Sequence, residues 1–213
     1  ANPVGALKDI LSQLNNKKEP IDPDYLTKKL ERIMQQTERA SAIIDHMRMF
    51  GRKASEQAYA VDPCLTLKSA ISLVSEQLRL AEINVVINKP KKCGLVLGHQ
   101  VQLEQVFLNL FTNAQDAIKS LQPCNNKLIQ IDVIDTTKKI EITVENVGPK
   151  ISEAIIDRIF EPFYTTKEIG KGTGLGLSVS YGIVRDMKGE ISVKNTDSGV
   201  SFLITLPIYH GED

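Results

Sequence analysis

Glycine stands at every second position in the stretch Gly170-Lys171-Gly172-Thr173-Gly174-Leu175-Gly176-Leu177-Ser178. No other part of the chain restricts its possible folds so tightly. Alternate glycines let backbone N–H groups turn toward one point without Cβ obstruction. A helix that begins where such a run ends adds its positive pole, and together they make a phosphate cradle. A glycine-rich loop alone has many uses. Here it follows Phe160-Glu161-Pro162-Phe163-Tyr164-Thr165-Thr166-Lys167. Upstream of both lies Glu104-Gln105-Val106-Phe107-Leu108-Asn109-Leu110-Phe111-Thr112-Asn113-Ala114-Gln115-Asp116-Ala117.

Residues 101–121 read as one strong helix. On it Asn109, Asn113 and Asp116 lie four and three apart, so they share a face. The other side carries Val106, Leu110, Ala114, Ala117 and Ile118 and reads as core. Asparagine is a poor helix former, and two in mid-helix call for a reason. A hard, oxygen-preferring cation supplies one. Side-chain carbonyls ligate Mg²⁺ while waters and phosphates fill the remaining positions.

The rest of the chain sets the frame. Its 213 residues are 42% hydrophobic and 24% charged with formal net charge +0, the balance of a globular protein. Neutrality gives no electrostatic reason to expect nucleic acid or an anionic membrane as partner. No apolar run approaches the roughly 20 residues that span a bilayer. The chain opens at Ala1-Asn2-Pro3 without an initiator Met, and the expectation is a piece cut from a longer protein. Cys64, Cys93 and Cys124 are an odd number at wide spacing and match no metal pattern. Each is read as a small buried hydrophobe in a reducing, cytoplasmic setting.

The texture divides in two, at about residues 55 and 56. Residues 1–55 read as helix, loop, helix. Val4, Leu7, Leu11 and Leu14 mark the first helix, and Asn15-Asn16 stops it. Pro20 and Pro23 interrupt, and Asp22 or Asp24 can cap the next. There Leu26, Leu30, Ile33, Thr37, Ala40, Ile44 and Met47 alternate spacings of four and three, a heptad seam. Two helices bury too little surface alone. The expectation is a four-helix bundle with a second copy, the alternative being a seam packed on the C-terminal half. Residues 56–213 mix helix and strand. Helices are expected at 67–80 and 177–187, the latter ended by Lys188-Gly189. A strand is expected at 83–87, and hairpins at 128–134 with 140–145 and at 190–193 with 200–206. The fold class is α+β: a helical hairpin followed by a sheet covered by helices.

These motifs resemble the ATP-binding domain of sensor histidine kinases, the fold shared with gyrase, Hsp90 and MutL. Asn109-Leu110-Phe111-Thr112-Asn113-Ala114 matches the N box, and Val147-Gly148-Pro149 falls at the first glycine box. Residues 160–167 match the F box, and residues 172–178 the second glycine box. The resemblance covers roughly residues 60–208, and the preceding helices resemble the dimerisation and histidine-phosphotransfer domain. It implies ATP and Mg²⁺ as cofactors, with Asn113 as metal ligand and Asn109 beside it near the phosphates. Asp116 shares that face. Gly172, Thr173, Gly174, Leu175, Gly176 and Leu177 would cradle the phosphates from the backbone, and residues 164–171 would form a lid. Lys167 and Lys171 either neutralise phosphate charge or are solvated lysines of that lid. The implied partners are a second copy and a response regulator.

Two departures stand out. The adenine motif of the family reads Asp-x-Gly-x-Gly, whereas this chain has Asn146 at the Asp position, then Gly148, then Lys150 in place of the second glycine. A neutral amide loses the charge-assisted bond, about 1 kcal/mol, and a lysine held at positive φ would cost about another 1 kcal/mol. Weakened ATP binding is expected. The family's phosphorylated His would fall before Ala1. His46, His99 and His210 are read as surface, loop and tail residues, so this piece is not expected to label itself. The rival reading is a degenerate kinase acting as a binding or scaffold module. A gyrase-type ATPase is disfavoured: its general base would stand at Asn109, and an amide takes no proton.

Overall fold

The structure, a computed structural model, describes residues 5, 8, 10, 12, 23–31, 33, 34, 37, 57–121, 126–167 and 172–211. The chain divides into two compact units. The larger comprises Gln57–Pro162 and Gly176–Asp213, the smaller Ala1–Glu56 and Phe163–Leu175.

In the larger unit a five-stranded sheet has the order β2-β4-β5-β7-β6. The strands are β2 (Asn84–Asn88), β4 (Leu128–Asp135), β5 (Lys139–Val147), β6 (Glu190–Asn195) and β7 (Gly199–Pro207). A second, two-stranded sheet pairs β1 (Tyr59–Val61) with β3 (Val96–Gly98). The helices are α1 (Pro63–Leu80), α2 (Gln100–Ser120), the single turn α3 (Glu153–Ile156) and α4 (Gly176–Asp186).

Period-two alternation decides the faces. Ile129, Ile131 and Val133 of β4 and Ile140, Ile142 and Val144 of β5 all point inward. Phe202, Ile204 and Leu206 of β7 join them. Helix α2 presents Leu103, Val106, Phe107, Leu110, Phe111, Ala114 and Ile118 to this core. Each fully buried large side chain contributes about 1.5–3 kcal/mol, which makes the helix-on-sheet contact the main source of stability. A buried amide also links helix to helix: Gln115 Nε2 donates to the Gln77 carbonyl of α1 at 3.3 Å. Strands β2 and β4 run parallel, which demands a crossover, and β3 with α2 supplies it.

The expected helices and hairpins recur within a few residues of their predicted ends. The β4–β5 turn is closed by Thr136, whose hydroxyl donates to the Lys139 carbonyl at 2.7 Å. Not foreseen are β1, β3 and α3, which are too short to show a period. The ending of α4 differs in detail. Lys188, not Gly189, takes the positive φ, at 59°. Gly189 is required because a Cβ there would overlap the Thr205 carbonyl of β7.

In the smaller unit residues 23–31 are helical, as are the described positions 5, 8, 10, 12, 33, 34 and 37. Asp24 lies inside the helix and is not its cap, and Asp22 lies outside the described residues. On the expected seam Leu26 and Ile33 are half-buried and Leu30 is 44% exposed. Val4, Leu7, Leu11, Leu14, Ala40, Ile44, Met47 and His46 lie outside the described residues.

Candidate functional site

The stripe on α2 is not a solvated face. Asn109, Asn113 and Asp116 are all half-buried. Asn109 is spoken for. Its Nδ2 donates to the Gly176 carbonyl at 2.9 Å and to Ser180 Oγ at 3.1 Å, and its Oδ1 accepts from Gln105 Nε2 at 2.9 Å. Its side chain therefore fixes the first turn of α4 against α2. Ser180 Oγ completes the clamp by donating to the same Gly176 carbonyl at 2.9 Å. The side chain of Asn113, one turn on, makes no hydrogen bond with any described residue, so its amide oxygen is available to a ligand.

Asn113 leads along the helix to Ala117, and Ala117 meets β5. A Cβ on Gly148 would stand 3.1 Å from Ala117 Cβ and 3.0 Å from Asn146 Nδ2. Gly148 is thus the gap between the end of β5 and the α2 stripe, and any side chain would fill it. Gly148 itself is held by its N–H, which donates to the Ser198 carbonyl at 3.1 Å.

Asn146 is 4% exposed. Its Nδ2 donates to the Val147 carbonyl at 3.0 Å. Among the described residues its Oδ1 accepts no hydrogen bond. A buried acceptor left unpaired costs about 1–3 kcal/mol, so this atom is poised for a donor that the chain does not provide. The exocyclic amine of adenine is such a donor.

Lys150 behaves differently from expectation. Its φ is not positive: among the described non-glycine residues only Glu82, Phe163 and Lys188 have that conformation. It is also exposed. The expected strain is absent, because the backbone after Gly148-Pro149 takes an ordinary path. Lys150→Gly is accordingly expected to change nucleotide affinity less than about twofold, within the ±0.5 kcal/mol typical of surface substitutions. Nucleotide titration of the variant checks this.

Of the glycine run the structure describes Gly172, Gly174 and Gly176. Gly174 has φ +66°, and a Cβ there would lie 2.6 Å from the carbonyl oxygen and 2.8 Å from Cα of Phe163. Phe163 is itself at φ 66°. Two main-chain segments cross here with no room for a side chain between them. A Cβ on Gly172 would meet Thr165 Oγ1 at 2.7 Å. Thr173 Oγ1 accepts from the Leu175 N–H at 3.4 Å, and Thr165 Oγ1 from the Lys167 N–H at 3.2 Å. Lys167 and Thr173 are half-buried and Leu175 is buried. Residues 168–171, with Lys171, lie outside the described residues. Helix α4 begins at Gly176, the next residue after Leu175, so its positive pole falls at the end of the run. Leu177 lies in its first turn, half-buried.

His99 directly precedes α2, with its ring edge-on to Tyr59 at 5.7 Å, and His210 is exposed. In the larger unit the described residues thus fit a nucleotide and its metal: an amide carbonyl on α2 and an orphaned buried acceptor beside a glycine gap. In the smaller unit the loop carries glycines where Cβ atoms cannot go.

Comparison with known proteins agrees. Residues 98–210 match the family described as histidine kinase-, DNA gyrase B- and HSP90-like ATPases. The chain is 37% identical over 190 residues to the two-component sensor PprA of Pseudomonas aeruginosa, an alignment covering 88% of this chain and 21% of that protein. It is 30% identical over 211 residues to sporulation kinase A of Bacillus subtilis, covering 97% of this chain and 32% of that protein. The chain thus spans about a fifth to a third of these relatives' length. The solved catalytic domain of histidine kinase ThkA superposes with TM-score 0.63 at 30% identity, covering 72% of this chain and 99% of that one. The family match spans more than half of the chain, and with these relatives it shows that the chain belongs to the histidine kinase-, DNA gyrase B- and HSP90-like ATPase family.

Proposed function

We propose that the chain is the catalytic core of a two-component sensor histidine kinase that binds ATP with Mg²⁺. The parent protein would transfer the γ-phosphoryl group to a histidine and then to an aspartate of a response regulator. The observation that carries this reading is the buried, unpaired Asn146 carbonyl beside Gly148, which faces Ala117, one turn of α2 from Asn113. In it Asn113 holds the metal, Asn109 positions α4, and Asn146 with Gly148 receives the base. The backbone of residues 172–177 takes the phosphates, and Lys167 adds positive charge. Asp116 extends the polar stripe. Magnesium would neutralise the phosphate oxygens, which is most of what phosphoryl transfer needs besides positioning.

Residues 1–55 would form the dimerisation and phosphotransfer hairpin, and residues 56–213 the catalytic domain. Support for a homodimer is the seam residue Leu30, 44% exposed in the single chain. Among the described residues no helix is long and apolar enough to cross a membrane. A cytoplasmic placement of this portion is part of the proposal. Histidine kinase ThkA has been solved in complex with response regulator TrrA, and a receiver of that kind is the partner proposed here. Calorimetric titration with ATP tests the proposal. One nucleotide per chain, bound only with Mg²⁺ present, is the expected outcome, and no saturable binding would overturn it.

A second reading, a weakened kinase kept as a binding module, is favoured by one feature: Asn146 is neutral. Asn146→Asp would make the bond to the base charge-assisted. It is expected to tighten ATP by about tenfold, close to 1.4 kcal/mol. If phosphotransfer by the full-length protein is absent with Asn146 and appears with Asp, the module reading stands.

A further inference from the structure

Three polar groups converge at the start of α1 in the larger unit. Asp62 caps α1, its Oδ1 accepting from the Cys64 N–H at 2.8 Å and the Leu65 N–H at 3.1 Å. Cys64 is the second residue of that helix and 5% exposed. Cys93 comes from the loop between β2 and β3 and is half-buried. The two sulfurs and an Asp62 carboxylate oxygen all lie within 4.8 Å of one another. The thiols are not bonded to each other. The loop is pinned beside them, for the Gly94 N–H donates to Asp135 Oδ2 at 2.7 Å. Neither thiol belongs to the nucleotide site.

We propose that Cys64 and Cys93 are a redox-active pair that closes to a reversible disulfide when the chain meets hydrogen peroxide. Two sulfurs from distant segments, one buried at the start of α1 and one half-buried in the β2–β3 loop, meet beside a carboxylate. Their surroundings divide the labour between them. The hydrogen bond from Cys93 lowers the Cys64 pKa, and Lys89 and the start of the 18-residue α1 act the same way. The same bond raises that of Cys93, which keeps its proton. Burial and the carboxylates of Asp62 and Asp135 oppose the Cys64 shift without reversing it. Of the two thiols Cys64 is the one that gives up its proton more readily, and a second thiol within reach of it is the arrangement that disulfide formation uses.

The chemistry balances. The Cys64 thiolate attacks one peroxide oxygen, the O–O bond breaks, and a sulfenic acid and hydroxide form. The Cys93 sulfur then attacks the Cys64 sulfur, forming the S–S bond. The S–O bond breaks and the oxygen leaves as water with the Cys93 proton. The hydroxide takes the proton that Cys64 released earlier. Two thiols are oxidised, and one peroxide becomes two waters.

A divalent cation is the competing occupant, and the site suits it less. The helix start and Lys89 present positive charge, and the Asp62 oxygen already accepts two backbone N–H groups.

The test treats the chain with hydrogen peroxide and maps its peptides by mass spectrometry. The expected result is loss of two titratable thiols and a 64–93 cross-link lighter by two hydrogens, fully reversed by dithiothreitol. Cys93→Ser should instead stop at a Cys64 sulfenic acid trapped by dimedone, and Cys64→Ser should form no intramolecular bridge. Oxidation in urea supplies the control for folding: there Cys124 should compete and the 64–93 preference should vanish. Over-oxidation without a cross-link, bridges to Cys124 from the native chain, or one zinc per chain held by both thiols would each overturn the proposal.

Discussion

Gly199→Ala is expected to lower the free energy of unfolding by about 3 kcal/mol, at the upper end of what overpacking costs. The new Cβ would overlap the Asn146 carbonyl oxygen and lie 2.7 Å from the Gly148 N atom and 3.1 Å from the Asn146 carbonyl carbon. All three are main-chain atoms, so no rotamer change relieves the clash. The residue starts β7, opposite Val147 on β5 in the middle of the sheet. Relief would require prising apart a central ladder whose inward side chains are the core. Urea unfolding should show a lower midpoint with an unchanged slope, since the surface exposed on unfolding is the same. A loss below about 1 kcal/mol would show that β7 can slide away from β5 at this end.

Asn113→Ala is expected to weaken Mg²⁺-dependent ATP binding by about thirtyfold or more. The lost contact is one to a charged group, about 2 kcal/mol, which converts to that factor. Stability should move the other way. Asn113 is half-buried and bonds to no described residue, so its removal leaves no orphan. Alanine is the better helix former by about 0.6 kcal/mol. An intact or slightly raised melting temperature together with lost binding therefore separates a ligand-holding side chain from a structural one. Titrations with and without EDTA complete the test. If the loss is equal in both, Asn113 does not hold the metal.

The sheet was largely legible from the alternation of Ile129, Ile131 and Val133 with polar neighbours, and of Ile140, Ile142 and Val144 likewise. Helix α2 was legible from the recurrence of Val106, Leu110, Ala114 and Ile118. Strands β1 and β3 were not, because three residues carry no period, and their pairing closes across all of α1 and β2. In the candidate site, the residue types could be seen but not their partners. Asn109 was visible as a misplaced helix residue. That it clamps Gly176 and Ser180, 67 and 71 residues away, depends on the tertiary packing of α2 on α4. The cost assigned to Lys150 was conditional on a left-handed backbone, and whether the chain bends that way after Gly148-Pro149 is not written in the residue types; it does not. The thiols were taken singly, and only the fold brings Cys64 to Cys93.

Asn146 sits within β5, registered against both β4 and β7, rather than on a peripheral loop. Whatever grips its side chain therefore grips the centre of the five-stranded sheet. Occupancy at one hundred times the dissociation constant would raise global stability by about 2.7 kcal/mol. A simple thermal ramp, run against increasing nucleotide, becomes a thermometer for affinity and needs no catalytic turnover at all.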